Sequence, residues 1–343
     1  MEFQEYPLPS FYNPEAAGEV WRVPYQNRAE QAREWSRLNN IQPAFRDDFK
    51  LGLLLVDVQN TFCIPGFELF VSGQSGLGAV EDNRRLCSFI YKNLGSITAV
   101  TATLDTHDPH QIFHPVFFID ENGKHPDPHT QISSEDVENG RWSFNKDLAE
   151  TLGFSPEYIQ EYIRHYTQEL ERRGKYNLTI WPYHAIRSGI GHALVSAVEE
   201  AIFFHSICRQ SRADFIYKGN NPLTEHYSVM GPEIMRDSNG QPIAEPDNTI
   251  LNKLSILDAL VIAGQAKSHC VSWTVNDLLE RIMDTDPQLV TKVYLLEDCT
   301  SPVVVPNVVD YTQEAQLAFE RFSKAGMHIV NTDVPLKKWF GKI

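Results

Sequence analysis

No apolar run in this chain approaches the roughly 20 residues that a membrane-spanning helix needs. The first residues, MEFQEYPLPSFYNPEAAGEV, contain neither the basic segment nor the apolar core of a secretory leader. Cysteine is sparse: Cys63, Cys87, Cys208, Cys270 and Cys299 are scattered, odd in number and form no CxxC pair. That pattern excludes a disulfide framework and suits free thiols in a reducing compartment, so a cytoplasmic location is expected. Positive charge is also short, with 30 Lys and Arg against 45 Asp and Glu, a net charge of −15. Nucleic acid and anionic membranes are therefore not expected partners. Internal repeats and low-complexity tracts are absent as well.

What is present is an ordinary globular composition, 42% hydrophobic and 22% charged, in 343 residues, enough to bury a sizeable core. Residues 1–48 form an N-terminal arm with one helix near Asn27–Asn39, and residues 49–343 form the main domain. That domain opens on a continuous apolar strand, Leu51 to Val56, of the kind buried on both faces of a parallel sheet. A helix at Glu81–Leu94 and a strand at Ile97–Leu104 follow. Residues 115–180 read as a long insertion holding a helix at Pro156–Arg173 with Ser155 as its N-cap. A helix is expected near Ile190–His205, a strand at Asp214–Lys218 and a long loop at about 230–250. The order resumes with strand Leu257–Ala263, helix Val271–Met283, strand Lys292–Glu297, helix Gln313–Ala325 and strand His328–Asn331. Alternating strands and helices imply an α/β fold of three layers, α/β/α, around a mainly parallel central sheet.

In such sheets ligands bind beyond the carboxyl ends of the strands, so polar residues there are the ones to collect. Asp57, Asp105 with His107, Lys218, and the turn Gly264-Gln265-Ala266-Lys267-Ser268-His269-Cys270 all fall at strand ends. Cys270 sits between a strand and a helix. There the helix dipole and free N–H groups favour a thiolate and can hold an oxyanion. Asp57 is a candidate base and Lys218 a cation that would stabilise the thiolate. Asp105-x-His107, with His184 as a third donor, supplies one carboxylate and two imidazoles. That set suits Zn²⁺, Fe²⁺ or Mn²⁺. His110 and His114 are nearby competitors, whereas His125 and His129 read as surface residues of the insertion.

With these segments assembled, the chain resembles the isochorismatase-like cysteine hydrolase superfamily, and within it the nicotinamidases. The matching segments are Leu55 to Gly66, Thr103 to His107, Trp181-Pro182-Tyr183-His184, Tyr217-Lys218-Gly219 and the Gly264–Cys270 turn, in the family's order. The resemblance implies that Asp57, Lys218 and Cys270 are the catalytic triad and that Asp105, His107 and His184 bind a divalent metal. It implies a cis peptide at Gln265–Ala266, with the N–H groups of Ala266 and Cys270 forming the oxyanion hole. Phe62, Trp181 and Tyr227 would line the substrate pocket, with Gln111 beside them. A homo-oligomer acting on a small-molecule amide, with no organic cofactor, is the implied form.

The chain departs from the family in three ways. Gln111 stands where a further histidine is usual, Ala185 follows the WPxH motif where cysteine is usual, and the chain is much longer than a typical member. The leading expectation is hydrolysis of a heteroaromatic amide such as nicotinamide to acid and ammonia through a thioester. A cysteine hydrolase of another amide, carbamoyl or imide group is the alternative. A non-catalytic scaffold of the same fold predicts a missing triad residue, and none is missing.

Overall fold

Six short segments, most of them apolar and each too short for a stable helix, assemble the centre of the molecule. A computed structural model describes residues 3–340. The strands are β1 Leu51–Val56, β2 Ile97–Asp105, β3 Asp214–Lys218, β4 Ala259–Gly264, β5 Val293–Leu296 and β6 His328–Val330. All pair in parallel, in the spatial order β6-β5-β4-β1-β2-β3. Chain order therefore reverses at the β1/β4 boundary, which in doubly wound sheets is where ligands bind.

The period-2 alternation of β1 splits the hydrophobic core in two. Leu51, Leu53 and Leu55 face a core shared with α1 Tyr25–Leu38, α2 Gly78–Lys92 and α4 Ser196–Arg209. Leu54 and Val56 face the other core, shared with α6 Ser272–Thr285, α7 Thr312–Lys324 and the insertion. The layers are thus helices, parallel sheet and helices, as expected from the alternation.

The N-terminal arm is tied to α4. Arg28 pairs with Glu200 at 2.7 Å, Asp47 pairs with the buried Arg209, and Ser36 donates to the Cys208 carbonyl. The insertion belongs to the second core. Its helix α3 Pro156–Arg172 starts on Ser155, whose hydroxyl accepts from the Tyr158 N–H, and it buries Ile159, Tyr162, Ile163, Tyr166 and Leu170. These fall at helical spacing on one face, which makes the helix part of the wall.

Several boundaries differ from the sequence reading. Helix α4 begins at Ser196, not near Ile190, because residues 191–195 pair with the chain after β1: Asn60 N–H donates to Ala193 O and Thr61 N–H to Gly191 O. The helix after Cys270 begins at Ser272, following a wide turn, Lys267–Val271. The loop after β3 ends in a helix, α5 Thr249–Ile256, which the polar surroundings had masked. Among the described residues no helix is long and apolar enough to cross a membrane.

Candidate active site

The C-terminal ends of β1 to β4 deliver Asp57, Asp105, Lys218 and the Cys270 turn to one place. The β2/β3 ladder pairs Asp105 directly with Lys218. Two glycines permit this crowding. A Cβ on Gly219 (φ +84°) would lie 2.5 Å from His107 Cε1 and 2.8 Å from Asp105 Oδ1. A Cβ on Gly264 (φ +122°) would lie 2.1 Å from Val56 O. Only glycine fits either position.

Lys218 is the hub. Its Nζ lies 2.9 Å from Asp57 Oδ2, 2.9 Å from Asp105 Oδ1 and 3.6 Å from Cys270 Sγ. It also donates to the His226 carbonyl at 2.8 Å. An ammonium has three protons, and these are directed at Asp105, His226 and the Cys270 sulfur. Asp57 Oδ2 lies against the same ammonium, which favours its ionised form. The Cys270 thiol hydrogen-bonds to the Asp57 side chain. The other oxygen, Oδ1, accepts from Thr103 Oγ1 at 2.5 Å.

Electrostatics correct one expectation. Cys270 is buried, and burial pushes its thiol well above the ordinary value despite the pull of Lys218. The helix start does not yield a resting thiolate; the thiol is protonated until a base takes the proton. Burial raises the Asp57 carboxyl too, with Lys218 opposing. Burial alone would depress Lys218, but Asp105 and Asp57 hold it well above its usual range, so it stays charged.

Beside the thiol stand Asp105, His107 and His184, whose ligand atoms lie within 4.8 Å of one another. His107 Nδ1 donates to Gly219 O at 2.9 Å and His184 Nδ1 to Pro182 O at 2.8 Å. Nδ1 of each ring is thus held by a carbonyl, and both Nε2 atoms face Asp105 Oδ2, at 2.8 and 3.7 Å. Carbonyl-fixed imidazoles converging on one carboxylate are the arrangement a divalent metal requires. Burial would raise Asp105, but His107 and Lys218 outweigh it and hold the carboxyl well below its usual range. A carboxylate that stays ionised completes a donor set that fits Zn²⁺, Fe²⁺ or Mn²⁺. Gln59 braces the set, accepting from Asp105 N–H and donating to Asp105 O, each at 2.8 Å.

A cavity of about 840 Å³ opens above these groups. Cys270, Ala266, Asp105 and His184 form its inner end, and Phe62, Trp181 and Tyr227 stand on its wall. Trp181 Nε1 donates to Tyr227 Oη at 3.2 Å, and the Phe62 ring meets His184 edge-on at 5.7 Å. The Gln265–Ala266 peptide is cis. Gln111 is not on the wall. It lies behind His107, where its Nε2 donates to the same Gly219 carbonyl at 3.0 Å, and so steadies the hydrogen-bond partner of His107. His114 is buried near His184 but stands outside the cluster of metal donors.

Three wall residues escaped the sequence reading. His129, read as a surface residue, lines the cavity edge-on to Trp181 at 5.8 Å. Glu225 lines it with a carboxyl raised to about 7, chiefly by burial and then by Asp105. His269 sits among Tyr176, Trp181, Tyr227 and Tyr311, neutral because burial lowers it to about 3. His269 directly precedes Cys270, a signal that was available; His129 and Glu225 come from irregular segments without periodicity.

No protein-family model matches the chain, and no curated protein matches it. Solved structures do. The yeast nicotinamidase bound to the inhibitor nicotinaldehyde is 16% identical with a TM-score of 0.50, over 82% of this chain and 99% of that one. A nicotinamidase pyrazinamidase of Acinetobacter baumanii is 15% identical with a TM-score of 0.49, over 84% and 99%. A pyrazinamidase of Pyrococcus horikoshii in complex with zinc is 17% identical with a TM-score of 0.44, over 82% and 99%. The first of these defines the class of the molecule: a three-layer α/β protein with the fold of a nicotinamidase. The particular activity has to be argued from the side chains.

Proposed function

We propose that the protein is a cysteine-dependent amidohydrolase of the isochorismatase-like superfamily, releasing ammonia from an amide carried on a ring, with nicotinamide as the first substrate to test. One observation carries this reading: Lys218 Nζ lies 2.9 Å from Asp57 Oδ2 and 3.6 Å from Cys270 Sγ, and the thiol hydrogen-bonds to the Asp57 side chain that would take its proton. Asp57 removes that proton as sulfur attacks the amide carbonyl, and Lys218 balances the charge that develops. The N–H groups of Ala266 and Cys270, both at the inner end of the cavity, hold the oxyanion. Protonated Asp57 then gives its proton to the departing ammonia, leaving a thioester on Cys270. Asp57 next takes a proton from water, whose oxygen attacks the thioester carbon, and the acid leaves as the thiol re-forms. Asp105, His107 and His184 would hold a divalent metal, which when bound supplies a Lewis-acidic anchor for a ring nitrogen or carbonyl of the substrate.

The test is ammonia release from nicotinamide by protein of measured metal content, with Cys270→Ala alongside. Release by the wild type, reduced roughly ten-thousand-fold in the variant, is the expected result. Comparable turnover by Cys270→Ala would sink the thiol mechanism.

A further inference from the structure

The cavity does not end where a one-ring amide would. Beyond the wall it widens into a mouth framed by two chain segments, 67–76 after the short Asn60–Cys63 helix and 303–306 after β5. Phe67, Leu69, Phe70, Val303, Val304 and Val305 line it, and all six are only half-buried. The framing is fixed in place. Val71 N–H donates to Phe62 O at 2.8 Å, Ser72 Oγ donates to Val304 O at 3.0 Å, and Val303 N–H donates to Ser268 Oγ at 3.0 Å. Each mouth segment is thus hydrogen-bonded to the other or to the catalytic turn. Half-exposed apolar side chains gathered around the opening of a reactive cavity leave apolar area that a bound group would cover. About 840 Å³ lies within the range of roughly 300–1,000 Å³ that encloses drug-sized ligands, near its upper end.

Charge narrows the class. Among the described residues lining the cavity there is no Lys or Arg, whereas Glu68, Asp105, Glu225 and Asp310 all line it. Lys218 lies beneath the floor, committed to Asp57 and Asp105. An anionic substituent would meet carboxylates and no cation on its way in.

We propose that the substrate is an uncharged amide bearing a second ring or a comparably large apolar group beyond the one next to the carbonyl, held between Phe70 and Val304. The proposal rests on the amidase reading for the orientation of the amide, with its carbonyl on Cys270 and its far end at the mouth.

The two readings separate when binding and chemistry are measured apart. Calorimetry on metal-loaded Cys270→Ala protein gives Kd values for benzamide, biphenyl-4-carboxamide and 4-carbamoylbenzoate. Biphenyl-4-carboxamide is expected to bind at least about tenfold more tightly than benzamide, since a second ring buries substantial apolar area. The carbamoylbenzoate is expected to bind more weakly than benzamide. Val304→Asp is expected to bring the biphenyl preference down towards unity. A biphenyl preference near unity, or one unmoved in Val304→Asp, overturns the extended site, and tighter binding of the carbamoylbenzoate overturns its charge preference. Ammonia release by the wild type is scored independently. A strong biphenyl preference without ammonia from any amide keeps the extended site and removes the amidase reading; ammonia with no preference does the reverse.

Discussion

At the inner end of the cavity a lysine, two carboxylates and a thiol lie within a few ångströms and almost wholly buried, whereas the mouth is framed by the half-open apolar side chains Phe67, Phe70 and Val304. Buried charges persist only when each is compensated, because an isolated one costs several kcal/mol. The inner end is therefore a closed account in which no member can be altered alone. The mouth carries no such constraint, since exchanging one half-buried apolar side chain for another changes only contact area. Chemistry is fixed where the groups are interdependent, and substrate choice is free to vary where they are not.

The sharpest way to break this comparison is Lys218→Met. It leaves Asp57 and Asp105 buried without their shared cation, and a loss of about 3–5 kcal/mol in urea unfolding is expected. A loss below about 1 kcal/mol would mean that the carboxylates are not interdependent. A smaller effect should appear just behind the catalytic turn. Asp82 Oδ2 accepts from Gln265 Nε2 at 2.8 Å, and burial raises its carboxyl from an ordinary 3.8 to about 6. A raised folded value means that its stabilising contribution is complete below about 3.8 and is lost as pH rises through about 6. The loss is up to about 3 kcal/mol at 1.36 kcal/mol per pH unit. Asp82→Asn stays neutral, so its stability relative to wild type should climb between pH 4 and 7.5; a flat difference would show that Asp82 ionises freely in the fold. The smallest effect is expected behind the wall. Tyr176, contributed by the insertion, donates to the Ser268 carbonyl at 3.1 Å. Tyr176→Phe should cost about 1 kcal/mol in unfolding while changing kcat/KM by a few-fold at most. A loss of catalysis comparable to that of Cys270→Ala would place the insertion among the interdependent groups.

Much of the inner end was legible in the sequence because a strand buried on both faces is an unbroken apolar run, and the first polar residue after it marks the sheet edge. Asp57 and Asp105 were found this way and Lys218 as the end of a short mixed strand, and the structure brings them together. Depth of burial was not legible. The local sequence around Cys270 speaks for a helix start and hence a thiolate, while the thiol's position beneath the insertion and beside Asp57 reverses that expectation. Gln111 was placed on the wall from its position relative to Asp105 and His107, yet the turn carries it behind His107 to the Gly219 carbonyl. His129 and Glu225 reach the cavity through segments held by scattered hydrogen bonds, such as Glu225 N–H to Tyr166 Oη at 2.9 Å, which leave no periodic trace. The mouth was invisible for the same reason: Phe70 and Val304 are far apart in sequence and meet only through irregular chain.

Lys218 arrives on β3, the edge strand, which has β2 as its one neighbour in the sheet. Side chains alternate along a strand, so a slip of one residue would turn Lys218 to the opposite face and bring Tyr217 to its place. Edge ladders are the ones most open to such slips. Here the mispaired chain would strand two carboxylates in the interior without a counter-ion and collapse the alternative state's stability. The groups to which the proposed reaction is assigned thus also proofread the sheet, admitting only the register in which they meet.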